Sequence, residues 1–229
     1  MSDFAAIYAS QSHAAAYHTL VMREDYQGNL ATHIAGLADL PAARVLDMGC
    51  GTGRVAGLLG PCRSLTASDR AGAMLHVARQ HLPTTGRLVQ ADNTALPFAA
   101  GSFDVVTAGW SFGHATEWLP GSWQANVRRA ITEMRRVLAP GGVAIIAETL
   151  GSGVATPAPP TPVLAECYAL FEQEFGMTRT AVATDYRFAS ADEATQLTSF
   201  FFGVAMGSET QADGTVIVPE WTGVWHSRV

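Results

Sequence analysis

The chain has 229 residues and a formal net charge of −6, with 48% hydrophobic and 15% charged residues. That length fits one compact α/β domain burying roughly 70–75% of its unfolded surface, and the acidic balance argues against a dedicated nucleic-acid binder, which would show a basic stripe. Three cysteines (Cys50, Cys62, Cys167) lack metal-type spacing and imply a reducing compartment, and no run of about 18 apolar residues suggests a membrane span.

The N-terminus carries Asp3 and no basic leader, so no signal peptide is expected there. Residues 1–41 read as a helical cap, with Leu30, Ile34 and Leu37 on one face and Pro41 closing the segment. Arg44–Met48 is the first strand. Val55, Leu58 and Leu59 give the next helix its apolar stripe, which Gly60-Pro61 ends. Ser64–Ser68 is strand two, followed by a helix with Met74, Leu75, Ala78 and Leu82 on one face. Arg87–Gln90 is strand three and Phe103–Ala108 strand four. Val127, Ile131, Met134 and Leu138 mark a helix before Pro140. Pro140-Gly141-Gly142 should turn into strand five, Val143–Glu148. Strands alternating with helices predict a parallel, right-handed, doubly wound sheet.

Past residue 150 the texture changes. Gly151–Pro162 reads as a loop, Val163–Phe175 as a helix, Thr178–Tyr186 as strand six, Ala191–Phe202 as a helix and Trp221–Arg228 as the last strand. The Pro/Gly-rich entry and the helix face of Tyr168, Phe171 and Phe175 suggest a mobile cover after strand five. The expected organisation is a cap (1–41), a ligand-binding core (42–150) and a segment of lid and C-terminal strands (151–229), all in one domain.

The densest signal is Val45-Leu46-Asp47-Met48-Gly49-Cys50-Gly51-Thr52-Gly53-Arg54. A buried strand meets a tight turn and a helix start. The glycines let the backbone approach a ligand, and the helix start offers unpaired N–H groups. A dinucleotide fingerprint would place its third glycine at position 54, which is Arg54. A phosphate-cradling P-loop needs a lysine, and the chain has none. Asp47 beside the turn would repel a pyrophosphate and suits a ligand carrying an amino group and a sulfonium. Asp69 and Asp92 fall at or just past the ends of strands two and three, one βα unit apart each time, so the three acids line one crevice. Asp69 suits a bidentate grip on ribose hydroxyls; singly, each acid could also be a helix N-cap.

This run resembles the first motif of the class I S-adenosylmethionine-dependent methyltransferases. Ser68-Asp69-Arg70-Ala71-Gly72-Ala73-Met74-Leu75 is similar to the family's second motif, and Ala91-Asp92-Asn93-Thr94-Ala95-Leu96-Pro97-Phe98 to its third. Ser102-Phe103-Asp104-Val105-Val106 and Arg136-Val137-Leu138-Ala139-Pro140-Gly141-Gly142 match later blocks. The blocks look most like the small-molecule branch that includes quinone-biosynthesis enzymes. The resemblance implies a Rossmann-like sheet of seven strands with the last antiparallel, and S-adenosyl-L-methionine as cofactor. It implies that Asp47, Gly49, Gly51 and Gly53 approach the cofactor, that Asp69 binds ribose, that Met74 packs on adenine and that Asp92 meets the adenine amino group. Arg70, Asn93 and Gly109 complete the set; many relatives have an acid where Asn93 stands. In relatives a tyrosine near the N-terminus closes over the cofactor, which points to Tyr17 rather than Tyr8, with core packing as the plainer reading.

The segment Gly109-Trp110-Ser111-Phe112-Gly113-His114 follows strand four, where an acceptor would meet the transferable methyl. His114 is the acid/base candidate, or a histidine that orders the loop. Trp110 and Phe112 either floor an aromatic pocket or are core. Glu148, ending strand five, should face the same crevice as a second base, or hold a loop N–H. The implied activity is methyl transfer to an O, N, C or S nucleophile of a small molecule, in the cytoplasm, with no nucleic-acid partner and a homodimer open to it. The rivals are a nicotinamide-dependent oxidoreductase and a non-catalytic module that keeps the fold.

Overall fold

The structure is a computed structural model that describes residues 10–203 and 206–229. Tyr8 and the first part of the expected cap lie outside the described residues. Helices α1 (Gln11–Val21) and α2 (Asn29–Leu37) lead to strand β1 (Arg44–Met48). Ser10 caps α1 by accepting from the His13 N–H, and the Asp25 carboxylate accepts from Leu30 and Ala31 N–H at the start of α2. Then come α3 (Arg54–Leu58), β2 (Ser64–Asp69), α4 (Gly72–His81), β3 (Arg87–Gln90) and β4 (Phe103–Gly109). A short α5 (Ala115–Trp118) and α6 (Trp123–Val137) precede β5 (Leu138–Ser152). The C-terminal part holds α7 (Pro162–Gln173), β6 (Thr178–Ala183), β7 (Tyr186–Phe188), α8 (Ala191–Phe202), β8 (Glu209–Thr210), β9 (Val216–Val218) and β10 (Glu220–Arg228).

The main sheet has seven strands in the order β3-β2-β1-β4-β5-β10-β6. β1 pairs in parallel with β2 and β4, and β10 runs antiparallel to both neighbours, β5 and β6. Successive residues of the central strands face opposite layers, as the pleat requires. Val105, Ile145 and Val224 join the core under α2 and α3. Val106, Ile146 and Trp225 join the core under α6 and α7. Buried on both sides, these strands read as continuous apolar runs. The strand order reverses between β1 and β4, where Asp47 pairs with Thr107. That opens a crevice at their carboxyl ends. No helix among the described residues is long and apolar enough to cross a membrane.

Three expectations need correction. The fifth strand starts earlier, at Leu138, and Pro140-Gly141-Gly142 forms an irregularity within it, where the register against β4 jumps from Phe103 opposite Leu138 to Val105 opposite Val143 and Gly141 has φ 79°. The expected strand six divides: β6 joins the main sheet, while β7 pairs with β9, and β9 with β8, in a separate three-stranded sheet. Elements of two and three residues are too short to show a period in sequence. Finally, the aromatic face of α7 is not left free for a cover. Its Tyr168 and Phe171 are buried against Trp225, and the Tyr168 hydroxyl donates to the Thr149 carbonyl at 2.9 Å. The aromatic face serves the core.

Candidate active site

A cavity of about 490 Å³ opens at the switch point. Its described lining runs from Tyr17 to Ala130, with no residue from β5, α7 or the described elements after them.

One end is built from the glycine turn and the strand-tip acids. Gly49, Gly51 and Gly53 all have positive φ (67°, 54° and 85°), yet each lacks a side chain for a different reason. A Cβ on Gly49 would collide with Ser111 Oγ, and one on Gly53 would lie 2.9 Å from Leu82. A Cβ on Gly51 would meet nothing within 4 Å. Gly51 therefore leaves room for something outside the protein, whereas Gly53, which does not line the cavity, serves packing. Gly109 lines the cavity, but its bareness admits Val55, whose Cγ2 would lie 2.4 Å from a Cβ there.

The acids double as scaffolding. Asp47, fully buried, accepts from the Ala56 N–H at 3.0 Å and the Thr107 hydroxyl at 2.8 Å. Burial raises its pKa to about 7. Asp69 accepts from the Gly51 and Ala71 N–H groups at 2.8 and 2.7 Å, tying the turn to β2, and burial raises its pKa as well. Asp92 is exposed at the rim. It accepts from the Thr94 N–H and hydroxyl, and these bonds hold its pKa below the usual range against a partial desolvation that acts the other way. Asn93 donates to Ser111 Oγ at 2.9 Å, joining this end to the loop after β4. Arg70 lines the cavity; Met74 does not. Met74 is fully buried with Ala14 and Val77, under α1. Tyr17 lines the cavity and packs on Phe201, and burial pushes its phenol up to about 12, so it stays uncharged.

The other end is aromatic. Trp110, Phe112, His114, Trp118 and Leu119 line it, with Asn126 and Ala130 from α6. Burial lowers the pKa of His114 to about 4, so the imidazole is neutral at pH 7, and it stacks on Trp118 at 4.7 Å. Glu148 does not line the cavity. It lies within β5, buried, and its Oε1 accepts from the N–H groups of Ser111, Phe112 and Gly113 at 3.1, 2.8 and 2.9 Å. The expectation that it faces the crevice is thus corrected: it anchors the loop from beneath. Desolvation raises its pKa to about 7.

Sequence reasoning missed a buried network at the junction of the two ends. The Arg54 guanidinium lies 3.5 Å over the Trp110 ring and 2.5 Å from the Glu24 carboxylate, with both charges almost wholly buried. Trp110 has φ 48°, a left-handed conformation rare for a bulky residue. Its N–H donates to the Ala147 carbonyl at 2.6 Å. In sequence Arg54 registers only as a missing glycine, and Glu24 as one acid of the Glu24-Asp25 pair.

Three acids and an open glycine turn thus meet at the switch point of a Rossmann-like sheet whose last strand is antiparallel. Residues 46–146 match the family model described as a methyltransferase domain. The chain is 36% identical over 111 residues to a demethylmenaquinone methyltransferase of Thermus thermophilus, covering 46% of each protein. It is 39% identical over 116 residues to a malonyl-[acyl-carrier protein] O-methyltransferase of Methylococcus capsulatus, covering 48% of this chain and 39% of the relative. These matches span less than half the length of either relative. Among solved structures, the YcgJ protein of Bacillus subtilis superposes with a TM-score of 0.55 at 18% identity, over 86% of this chain and 97% of that one. Residues 46–146 therefore resemble a methyltransferase domain, and the chain shares the fold of that solved structure.

Proposed function

We propose that the whole chain is an S-adenosylmethionine-dependent methyltransferase acting on a small, uncharged, planar acceptor. The observation that carries this reading is one cavity with two chemistries: strand-tip acids around the open Gly51 at one end, and a neutral aromatic box at the other. Acids suit a ligand with an ammonium, a sulfonium and ribose hydroxyls, and disfavour the pyrophosphate of a nicotinamide dinucleotide.

The residues that would hold the cofactor are Asp47, Gly49, Gly51, Asp69, Arg70, Asp92, Asn93 and Tyr17, with Gly53 and Gly109 shaping their backbone. When bound, S-adenosylmethionine supplies a methyl group on a good leaving group, open to in-line displacement. Asp69 retains acceptor capacity on both oxygens beyond its two N–H bonds. The wall of Trp110, Phe112 and Trp118 excludes water and aligns the acceptor, and alignment alone can supply ~7–11 kcal/mol of a barrier. His114, neutral at the aromatic end, is placed to accept a proton from an acceptor hydroxyl. Its lowered pKa makes it a weak base, so an acceptor whose attacking atom need not lose a proton before transfer suits the site best. Glu148 would act through the loop it holds, not on the acceptor.

The net charge of −6 supports a small-molecule acceptor over nucleic acid. Three free cysteines fit a cytoplasmic setting, and a homodimer remains compatible with this reading. Calorimetric titration with S-adenosylmethionine, S-adenosylhomocysteine and NADH tests the donor: binding of the first two only is expected, and binding of NADH alone overturns the proposal. Labelled donor with a panel of hydroxyarenes, quinols, amines and thiols then identifies the acceptor.

A further inference from the structure

The glycine turn is an entropic liability. Three positive-φ glycines in five residues lose much freedom on ordering. Donor affinity thus depends on how firmly the turn is preorganised before the ligand arrives. Two restraints come from the core itself: the Cys50 N–H donates to the Ser68 carbonyl, and the Gly51 N–H to Asp69. A third comes from outside it. His18, on α1, shares a hydrogen bond of 2.9 Å with the hydroxyl of Thr52, between Gly51 and Gly53. Thr52 is 1% exposed and lines the cavity. One face of the imidazole is covered by His81, at the end of α4, whose ring stacks on it at 3.8 Å and 20°. His18 is thus held from two directions while it holds the turn.

We propose that His18 is a positioning residue for the donor loop, clamping Thr52 against the His81 stack. The N-terminal helix, which lies outside the matched residues 46–146, then sets donor affinity twice over, since the adjacent Tyr17 walls the same cavity. This inference rests on the reading of the cavity as a donor site.

The test is calorimetry of the full chain with S-adenosylhomocysteine. His18→Ala should weaken binding about three- to tenfold, the worth of one neutral hydrogen bond. Thr52→Val should do the same, and the double variant should bind no more weakly than the weaker single one, because both remove one interaction. His18→Gln, which can still bond the Thr52 hydroxyl, should recover wild-type affinity within about twofold. A purely structural role would lower the melting temperature of His18→Ala without changing affinity, and that result overturns the clamp. Additive losses in the double variant overturn it too. If His18→Ala does not fold, Thr52→Val and His18→Gln still decide: a loss in the first with recovery in the second supports the clamp, and equal affinities sink it. A wild-type chain that fails to bind S-adenosylhomocysteine refutes the donor site itself, a distinct outcome.

Discussion

Gly51 and His114 show how single residues can be assigned opposite costs. Gly51→Val places a left-handed φ on a branched residue, costing about 1–2 kcal/mol, but meets no packing clash. The variant should fold with a modestly lower melting temperature and lose donor affinity by at least about tenfold. A folded variant with unchanged affinity would show that no ligand passes Gly51. For His114 the question is proton transfer. With a hydroxylated acceptor, His114→Ala should cut turnover by about 10²–10⁴-fold and leave S-adenosylhomocysteine affinity nearly unchanged. Wild-type turnover would leave alignment alone as the source of rate. Asp69 carries both kinds of cost, since its carboxylate anchors the Gly51 and Ala71 N–H groups as well as facing the cavity.

Among the elements, α7 is the one whose role its sequence disguises. Thr161 caps it by accepting from the Leu164 N–H, and Pro162 stands in its first turn, an ordinary helix start. Cys167, Tyr168, Leu170 and Phe171 are buried. Burying a large side chain contributes about 1.5–3 kcal/mol, far more than a mobile cover could give up at each opening. The amides of α7 should therefore be well protected from hydrogen exchange without any ligand, and Tyr168→Phe should cost about 1 kcal/mol by removing the hydroxyl's bond to the Thr149 carbonyl. Rapid exchange in the free protein, slowed only by ligands, would restore the cover.

Across the whole molecule, buried acids give stability a pH dependence of unusual sign. Desolvation raises Asp47 and Glu148 to about 7 and Glu220 to about 8. Each holds its proton more tightly when folded than when unfolded. The stabilisation is complete below the unfolded values near 4 and is lost as pH rises through 7–8. The melting temperature should fall between pH 6 and pH 8.5, as scanning calorimetry would read. Glu220 Oε1 accepts from the Thr149 hydroxyl at 2.9 Å while Oε2 is buried and unpartnered. Glu220→Gln should thus raise the melting temperature at pH 8.5 by about 2–4 °C, roughly 1 kcal/mol, with less effect at pH 6. Stability that rises toward pH 8.5 would contradict these protonation states.

The first four strands, the long helix Trp123–Val137 and the glycine turn were legible because each is a local pattern: apolar runs, a 3.6-residue period, glycines at alternate positions. The three acids were legible because strand ends recur once per βα unit. Contacts between distant segments were not. Glu148 meets its loop 35 to 37 positions away, His18 meets Thr52 across 34, and Arg54 meets Glu24 only because α1 and α2 fold back over the turn. The sequence by itself determined the first four strands and the crevice at their carboxyl ends, because strand, turn and acid are adjacent in the chain. Only the tertiary structure decided which candidates line the cavity and which brace it, because burial and hydrogen-bond geometry depend on residues the chain brings together from afar.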